Sequence, residues 1–148
     1  MRHTRYQGAI VEDGKMLLIT HKNREDGREY WVIPGGGRED GESEEECVIR
    51  EMKEETHLDV EVLSLAMDEA AGPDGVYKRR KTFLCKVVGG EAAPGHEPEL
   101  EASERYSISA VAWFDLSDEA SWGDKVKADP FTYPQMMKLQ KVLGYEAN

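Results

Sequence analysis

Three glutamates carry the chemistry most legible in this chain. Glu51 and Glu54 stand at i,i+3, and Glu51 and Glu55 at i,i+4, so on a helix their carboxylates share one face. Like charges at that spacing destabilise a bare helix by roughly 0.2–0.5 kcal/mol per pair. A cost repeated within five residues calls for compensation, and a hard divalent cation supplies it. Carboxylate oxygens suit Mg²⁺ or Mn²⁺, and Mg²⁺ takes its remaining ligands from water and from a substrate's phosphates. Residues 38–59 hold ten Asp or Glu against three Lys or Arg. The plainer alternative is a solvated acidic helix carrying ordinary surface pairs, such as Arg50 with Glu54 at i,i+4.

The elements that must position these groups follow from pattern and punctuation. Ser43 followed by Glu46 is a capping-box signature and opens a helix over 43–56, with Val48, Ile49, Met52 and Thr56 as its inward stripe. Ahead of it, Tyr6–Glu12 and Lys15–His21 flank Asp13-Gly14, a hairpin dipeptide. A turn over Asn23–Arg28 leads to the strand Tyr30–Ile33, which Pro34 stops before a Gly35-Gly36-Gly37 loop. Behind it, Leu58–Met67 and Tyr77–Val88 read as strands around a Gly/Pro loop at Asp68–Gly75. Gly89–Glu104 reads as a long exposed loop, Ser107–Leu116 as a strand, and Tyr133–Leu143 as a helix.

The stretch from Gly36 to Leu58, GGREDGESEEECVIREMKEETHL, resembles the Nudix box, G-x5-E-x7-R-E-U-x-E-E-x-G-U with U a bulky apolar residue. Gly36, Glu42, Arg50, Glu51, Met52, Glu54, Glu55 and Leu58 fall on it in register. Trp31-Val32-Ile33-Pro34-Gly35 is similar to the family's lead-in. His57 departs from the pattern, standing where the family has a helix-ending Gly; His is among the non-Gly residues enriched in the left-handed region.

The resemblance implies an α/β fold, a Nudix-like α/β/α sandwich with a mixed β-sheet. It also implies Mg²⁺-dependent (or Mn²⁺-dependent) hydrolysis of a nucleoside diphosphate linked to another group X. Glu51, Glu54, Glu55 and the Gly36 carbonyl become the metal ligands. Glu51 is the first choice to polarise water, with Arg50 and Glu55 completing the catalytic set. Glu42 is either a substrate or metal contact or a structural partner of Arg50. A further acid is expected beyond the box, among Glu97, Glu99, Glu101 and Glu104. For X, a Pro fifteen residues past the box accompanies some ADP-ribose-cleaving members. Pro73 stands fifteen past Leu58, whereas Tyr77 stands nineteen past it, outside the spacing of dinucleoside-polyphosphate members. The reading leans to ADP-ribose or another nucleoside-diphosphate sugar. A nucleoside triphosphate pyrophosphohydrolase and a non-catalytic nucleotide-binding module are the alternatives.

Composition sets the outer limits. The 148 residues suffice for one core, and no repeat or linker divides them, so 1–148 reads as a single domain. A net charge of −11 repels a phosphate backbone, which points to a small nucleotide rather than long nucleic acid. Lys78-Arg79-Arg80-Lys81 is the one basic run. Arg79 and Arg80 are candidates for substrate phosphates; the alternative is charge on an exposed edge strand that deters aggregation. Trp122 and Tyr133, in polar surroundings, are candidates for a nucleobase pocket, and His21 for the cleft. Two unpaired cysteines, no apolar leader and no run near ~20 apolar residues lead to the expectation of a reduced, cytoplasmic protein without a membrane span. A homo-oligomer stays open.

Overall fold

The computed structural model describes residues 3–71, 77–95 and 106–145. Its strands are β1 (Thr4–Glu12), β2 (Lys15–Asn23), β3 (Glu29–Val32), the two-residue β4 (Gly35–Gly36), β5 (Asp59–Ala70), β6 (Arg79–Gly89) and β7 (Tyr106–Asp115). Helix α1 (Glu44–Thr56) lies between β4 and β5. A 3-10 turn (Glu119–Trp122), the single-turn α2 (Asp124–Lys127) and α3 (Thr132–Val142) follow β7.

Positive φ at both Asp13 and Gly14 gives the turn whose twist matches two antiparallel strands, and the hairpin forms as expected with Glu12 opposite Lys15. The sheet runs in the order β3-β2-β1-β6-β5, with β7 on β2 and β4 on β1. Among the described strands only β1 and β6 are parallel, from Thr4 opposite Arg79 to Ile10 opposite Cys85, which makes the sheet mixed. Alternation then sorts the core. Tyr6, Ile10, Leu17, Phe83 and Cys85 meet Cys47, Val48 and Met52 of α1 on one face. Ala9, Met16, Leu18 and Met67 meet Trp122, Val126, Met136 and Leu139 on the other. The result is the α/β/α sandwich with a mixed sheet that the motif implied. No helix among the described residues is long and apolar enough to cross a membrane.

Several expectations are corrected. Ile49 is 41% exposed, and the inward rows of α1 are Cys47-Glu51-Glu55 and Val48-Met52-Thr56, so two acids replace one apolar residue on the buried side. The reason is that this side faces the polar backbone of β4. Trp122 is a core residue, 2% exposed, donating its indole N–H to the Asp115 carbonyl. The basic run does not form an edge: β6 lies between β1 and β5, with Arg79 and Arg80 paired to acids of β5 and Lys81 to Glu44 of α1. Strand β5 continues to Ala70, through three residues expected in a loop.

Candidate active site

Helix α1 is fixed at both ends. Ser43 accepts the Glu46 amide at 3.0 Å and Glu46 accepts the Ser43 amide at 2.9 Å, the full capping box. At the other end His57 takes φ 65°, the left-handed turn expected of this position, and its amide bonds the Lys53 carbonyl. The segment after β6 then crosses the last turn of the helix. Ala93 donates to the Thr56 carbonyl at 3.0 Å, Gly95 to the Glu55 carbonyl at 2.9 Å, and the His57 ring meets the Pro94 carbonyl at 3.1 Å. These contacts satisfy carbonyls that a helix end otherwise leaves orphaned. Gly95 is obligatory there, because a Cβ would stand 1.9 Å from the Glu54 carbonyl oxygen. Glu97, Glu99, Glu101 and Glu104, further along, lie outside the described residues, as does Pro73.

The buried row of α1 meets β4. The Gly35 amide donates to Glu55 Oε1 at 3.0 Å, and both Glu55 and Glu51 have no solvent exposure. A Cβ on Gly36 would lie 2.5 Å from Glu51 Oε1, so the absence of a side chain lets this carboxylate rest on the β4 backbone. Arg50 ties the rest together. Its Nε and Nη2 grip Glu42 at 2.8 and 3.0 Å, Nη2 also reaches the Gly37 carbonyl at 3.1 Å, and Nη1 donates to Glu51 at 3.2 Å and Glu54 at 3.1 Å. Those hydrogen bonds, chiefly the ones Glu42 accepts, raise the guanidinium pKa well above its ordinary value, so Arg50 is a permanent cation. In return Arg50 holds the Glu42 carboxyl below the ordinary carboxylate range. Burial, then the nearby Glu51 and Glu42, push the Cys47 thiol up to about 12, which leaves it inert.

The donor types suit a hard divalent cation: three carboxylates on two adjoining rows of one helix, beside Gly36 of β4. Glu51 and Glu54 already reach one shared cationic nitrogen, Arg50 Nη1. Among the described residues no group of three acidic, His or Cys side chains is drawn together around a point where an ion would sit. Arg50 holds two of the carboxylates instead.

Of the other residues singled out in the sequence, Glu42 is Arg50's anchor. Arg79 and Arg80 lie on opposite sheet faces, paired with Asp68 at 2.5 Å and Glu69 at 2.8 Å. His21 is held neutral, its pKa lowered to about 3 by burial and by Arg5. A cavity of about 920 Å³ opens beside Thr4, Tyr6 and the Arg38–Ser43 loop, but neither Glu51 nor Glu55 lines it. Sequence reasoning missed the Gly35 amide on Glu55 and the Gly90–Gly95 strap. The three glycines after Pro34 were the only trace of the first.

The NUDIX domain model matches residues 2–135. The chain is 39% identical over 93 residues to a Methanocaldococcus jannaschii protein named "ADP-ribose pyrophosphatase", covering 61% of this chain and 54% of that one. It is 34% identical over 105 residues to the human "8-oxo-dGDP phosphatase NUDT18", covering 71% of this chain and 29% of that one. The chain thus spans only about a quarter to a half of these relatives' length. Among solved structures it is similar to a MutT NUDIX hydrolase from Burkholderia pseudomallei, with a TM-score of 0.62, 27% identity, and coverage of 96% and 98% of the two chains.

Proposed function

From the premise that this chain belongs to the NUDIX domain family, we propose that it is a pyrophosphohydrolase acting on a small nucleotide, a nucleoside diphosphate linked to a group X. Water adds to phosphorus, the bridging P–O bond breaks, and the products are a nucleoside monophosphate and phosphorylated X. Glu51, Glu54, Glu55 and the Gly36 carbonyl hold Mg²⁺, with Mn²⁺ as its substitute. When bound, the ion neutralises anhydride oxygens and lowers the pKa of water.

The chain's own groups do the remainder. Glu51 accepts the proton of the attacking water. Arg50 aims Glu51 and Glu54 through its hydrogen bonds to them, and Glu42 keeps Arg50 in place. The Gly35 amide orients Glu55. The observation that carries this reading is the convergence of Glu51 and Glu54 on a single cationic nitrogen beside β4.

For X, the reading leans to ADP-ribose or another nucleoside-diphosphate sugar, supported by the archaeal relative's name and by the position of Pro73. A panel of ADP-ribose, other nucleoside-diphosphate sugars and nucleoside triphosphates, incubated with Mg²⁺ and separated by chromatography, tests it. Monophosphate products from the first group are expected, and Glu51→Gln lowers turnover by orders of magnitude with the fold intact. Triphosphates cleaved faster transfer the assignment to that class. Nucleotide binding without turnover leaves a binding module.

A further inference from the structure

The last turn of α1 carries Glu54 and Glu55, and it is an unfavourable place for carboxylates. They lie beside the negative end of the helix macrodipole, where the last carbonyls also lack partners inside the helix. Lys53 is the one basic residue of that turn, and it is committed to Asp59 at 3.1 Å. Helix ends left this way fray. Here a distant segment holds the turn.

Strand β5 begins at Asp59, just after α1, and β6 ends at Gly89, opposite Asp59, so the chain leaving β6 emerges beside the helix end. Ala93 then donates to the Thr56 carbonyl and Gly95 to the Glu55 carbonyl, two N–H dipoles aimed at the negative end of the helix. Ala92 packs against the core cluster beneath α1. Both ends of the strap meet backbone. A Cβ on Gly90 would stand 2.5 Å from the His57 carbonyl oxygen, and one on Gly95 would run into the Glu54 carbonyl. Backbone has no rotamer with which to give way, so the strap and the turn bearing Glu54 and Glu55 are coupled. Glu51, one turn earlier, is set instead by β4 and Arg50.

Rigidity matters because cations differ in what they demand. Mg²⁺ requires near-ideal octahedral geometry with ligands at about 2.0–2.1 Å, whereas Ca²⁺ accepts more oxygens, at about 2.3–2.6 Å, in flexible arrangements. Carboxylates on a clamped turn favour the smaller ion. The same carboxylates on a fraying turn adapt to the larger one.

We infer that the Gly90–Gly95 strap sets metal specificity: the Ala93 and Gly95 amides clamp the last turn of α1 and hold Glu54 and Glu55 for Mg²⁺ against Ca²⁺. This deepens, and rests on, the reading of α1 as the metal-binding helix. Gly95 is a positioning residue that acts through Glu54 and Glu55. The His57 ring, which meets the strap only at the Pro94 carbonyl, is not part of the clamp.

Gly95→Ala tests this directly. To clear the Glu54 carbonyl, strap and turn must separate by about 1 Å or more, which takes the Gly95 amide, 2.9 Å from the Glu55 oxygen, out of hydrogen-bonding range. Mn²⁺ binding to the full chain, followed by the electron paramagnetic resonance of free Mn²⁺ and displaced by Mg²⁺ or Ca²⁺, ranks the two ions without nucleotide or turnover. The wild type is expected to prefer Mg²⁺. Gly95→Ala lowers the Mg²⁺/Ca²⁺ affinity ratio by about tenfold, mainly through loss of Mg²⁺. Ala93→Pro deletes the other amide, lowers the ratio in the same direction, and decides the matter if Gly95→Ala misfolds. His57→Ala lowers the melting temperature and leaves the ratio unchanged, which separates the clamp from a general loss of stability. A ratio unchanged in both strap variants, a wild type indifferent to the two ions, or an equal fall in His57→Ala overturns the strap's role and leaves the metal reading standing. A wild type that binds no Mn²⁺, or undiminished Mn²⁺ binding by Glu55→Gln, refutes the metal reading and the strap's role with it.

Discussion

Gly36→Ala isolates the part of the site that depends on a missing side chain. The added Cβ would lie 2.5 Å from Glu51 Oε1, 2.6 Å from Cδ and 2.8 Å from Oε2. Non-bonded carbon contacts settle near 3.5 Å, so the carboxylate must retreat by about 1 Å. What yields is the end of a flexible side chain, so the backbone is spared. Glu51 has no exposure, however, so its displacement overpacks the site at about 1–3 kcal/mol. At roughly 2–4 °C per kcal/mol for a domain of this size, the melting temperature falls by several degrees while the protein stays folded. A 1 Å misplacement of a catalytic group costs about 10²-fold in rate. Turnover with Mg²⁺ on the best panel substrate, measured beside thermal melts, reads both effects. In a Glu51→Ala background the same methyl enters vacated space and lowers the melting temperature much less, the coupling that a double-mutant cycle detects. Turnover within threefold of wild type, or an equal loss of stability in both backgrounds, refutes the packing of Glu51 on β4 as the reason for Gly36.

Glu42→Gln removes the anchor of a guanidinium whose partners are largely shielded, and at pH 7 it should cost about 1–3 kcal/mol in urea unfolding. Because Arg50 holds the Glu42 pKa below 4.5 in the folded state, that contribution is complete above about pH 4.5 and fades as pH falls through the lowered value. The gap between wild type and variant should therefore close in acid; a gap unchanged at pH 3 would assign the loss to packing. His57→Gly relieves a left-handed strain of about 1–2 kcal/mol but forfeits the ring's contact with Pro94, so the melting temperature rises slightly and metal affinity is unchanged. His57→Ala keeps the strain without the contact, and its melting temperature should fall below wild type. Gln7→Leu strands Thr82, Gln135 and Arg5 without their partner and should destabilise by about 1–3 kcal/mol, read from the urea midpoint.

Most of what positions the acidic helix was legible because it is local. The capping box, the Asp13-Gly14 hairpin and the left-handed His57 each depend on neighbours within a few residues. The burial of Glu51 and Glu55 was not legible. Amphipathic reasoning assigns acids to solvent, and Ile49 to the core, unless the helix is known to lie on a polar backbone. That backbone is β4, two glycines whose pairing with Tyr6 and Gln7 is tertiary. The same holds for the strap. Ala93 and Gly95 are far in sequence from the Thr56 and Glu55 carbonyls they bond, and only the antiparallel pairing of β5 with β6 makes them neighbours.

The two sets of partners around Arg50 explain how buried acids and a fixed cation coexist. Taking a carboxylate out of water is costly unless a cation and hydrogen bonds replace the lost solvation. Glu55 has the Gly35 amide, and Glu51 and Glu54 share Arg50 Nη1. Arg50 itself does not depend on them. Nε and Nη2 are committed to Glu42 and the Gly37 carbonyl, all on the loop ahead of α1. Should Glu51 and Glu54 turn toward another cation, Arg50 keeps three of its hydrogen bonds and has no reason to follow. The guanidinium therefore acts as a fixed wall against which the carboxylates exchange partners. Under the proposed chemistry Glu42 acts through that fixity, without touching the reacting atoms.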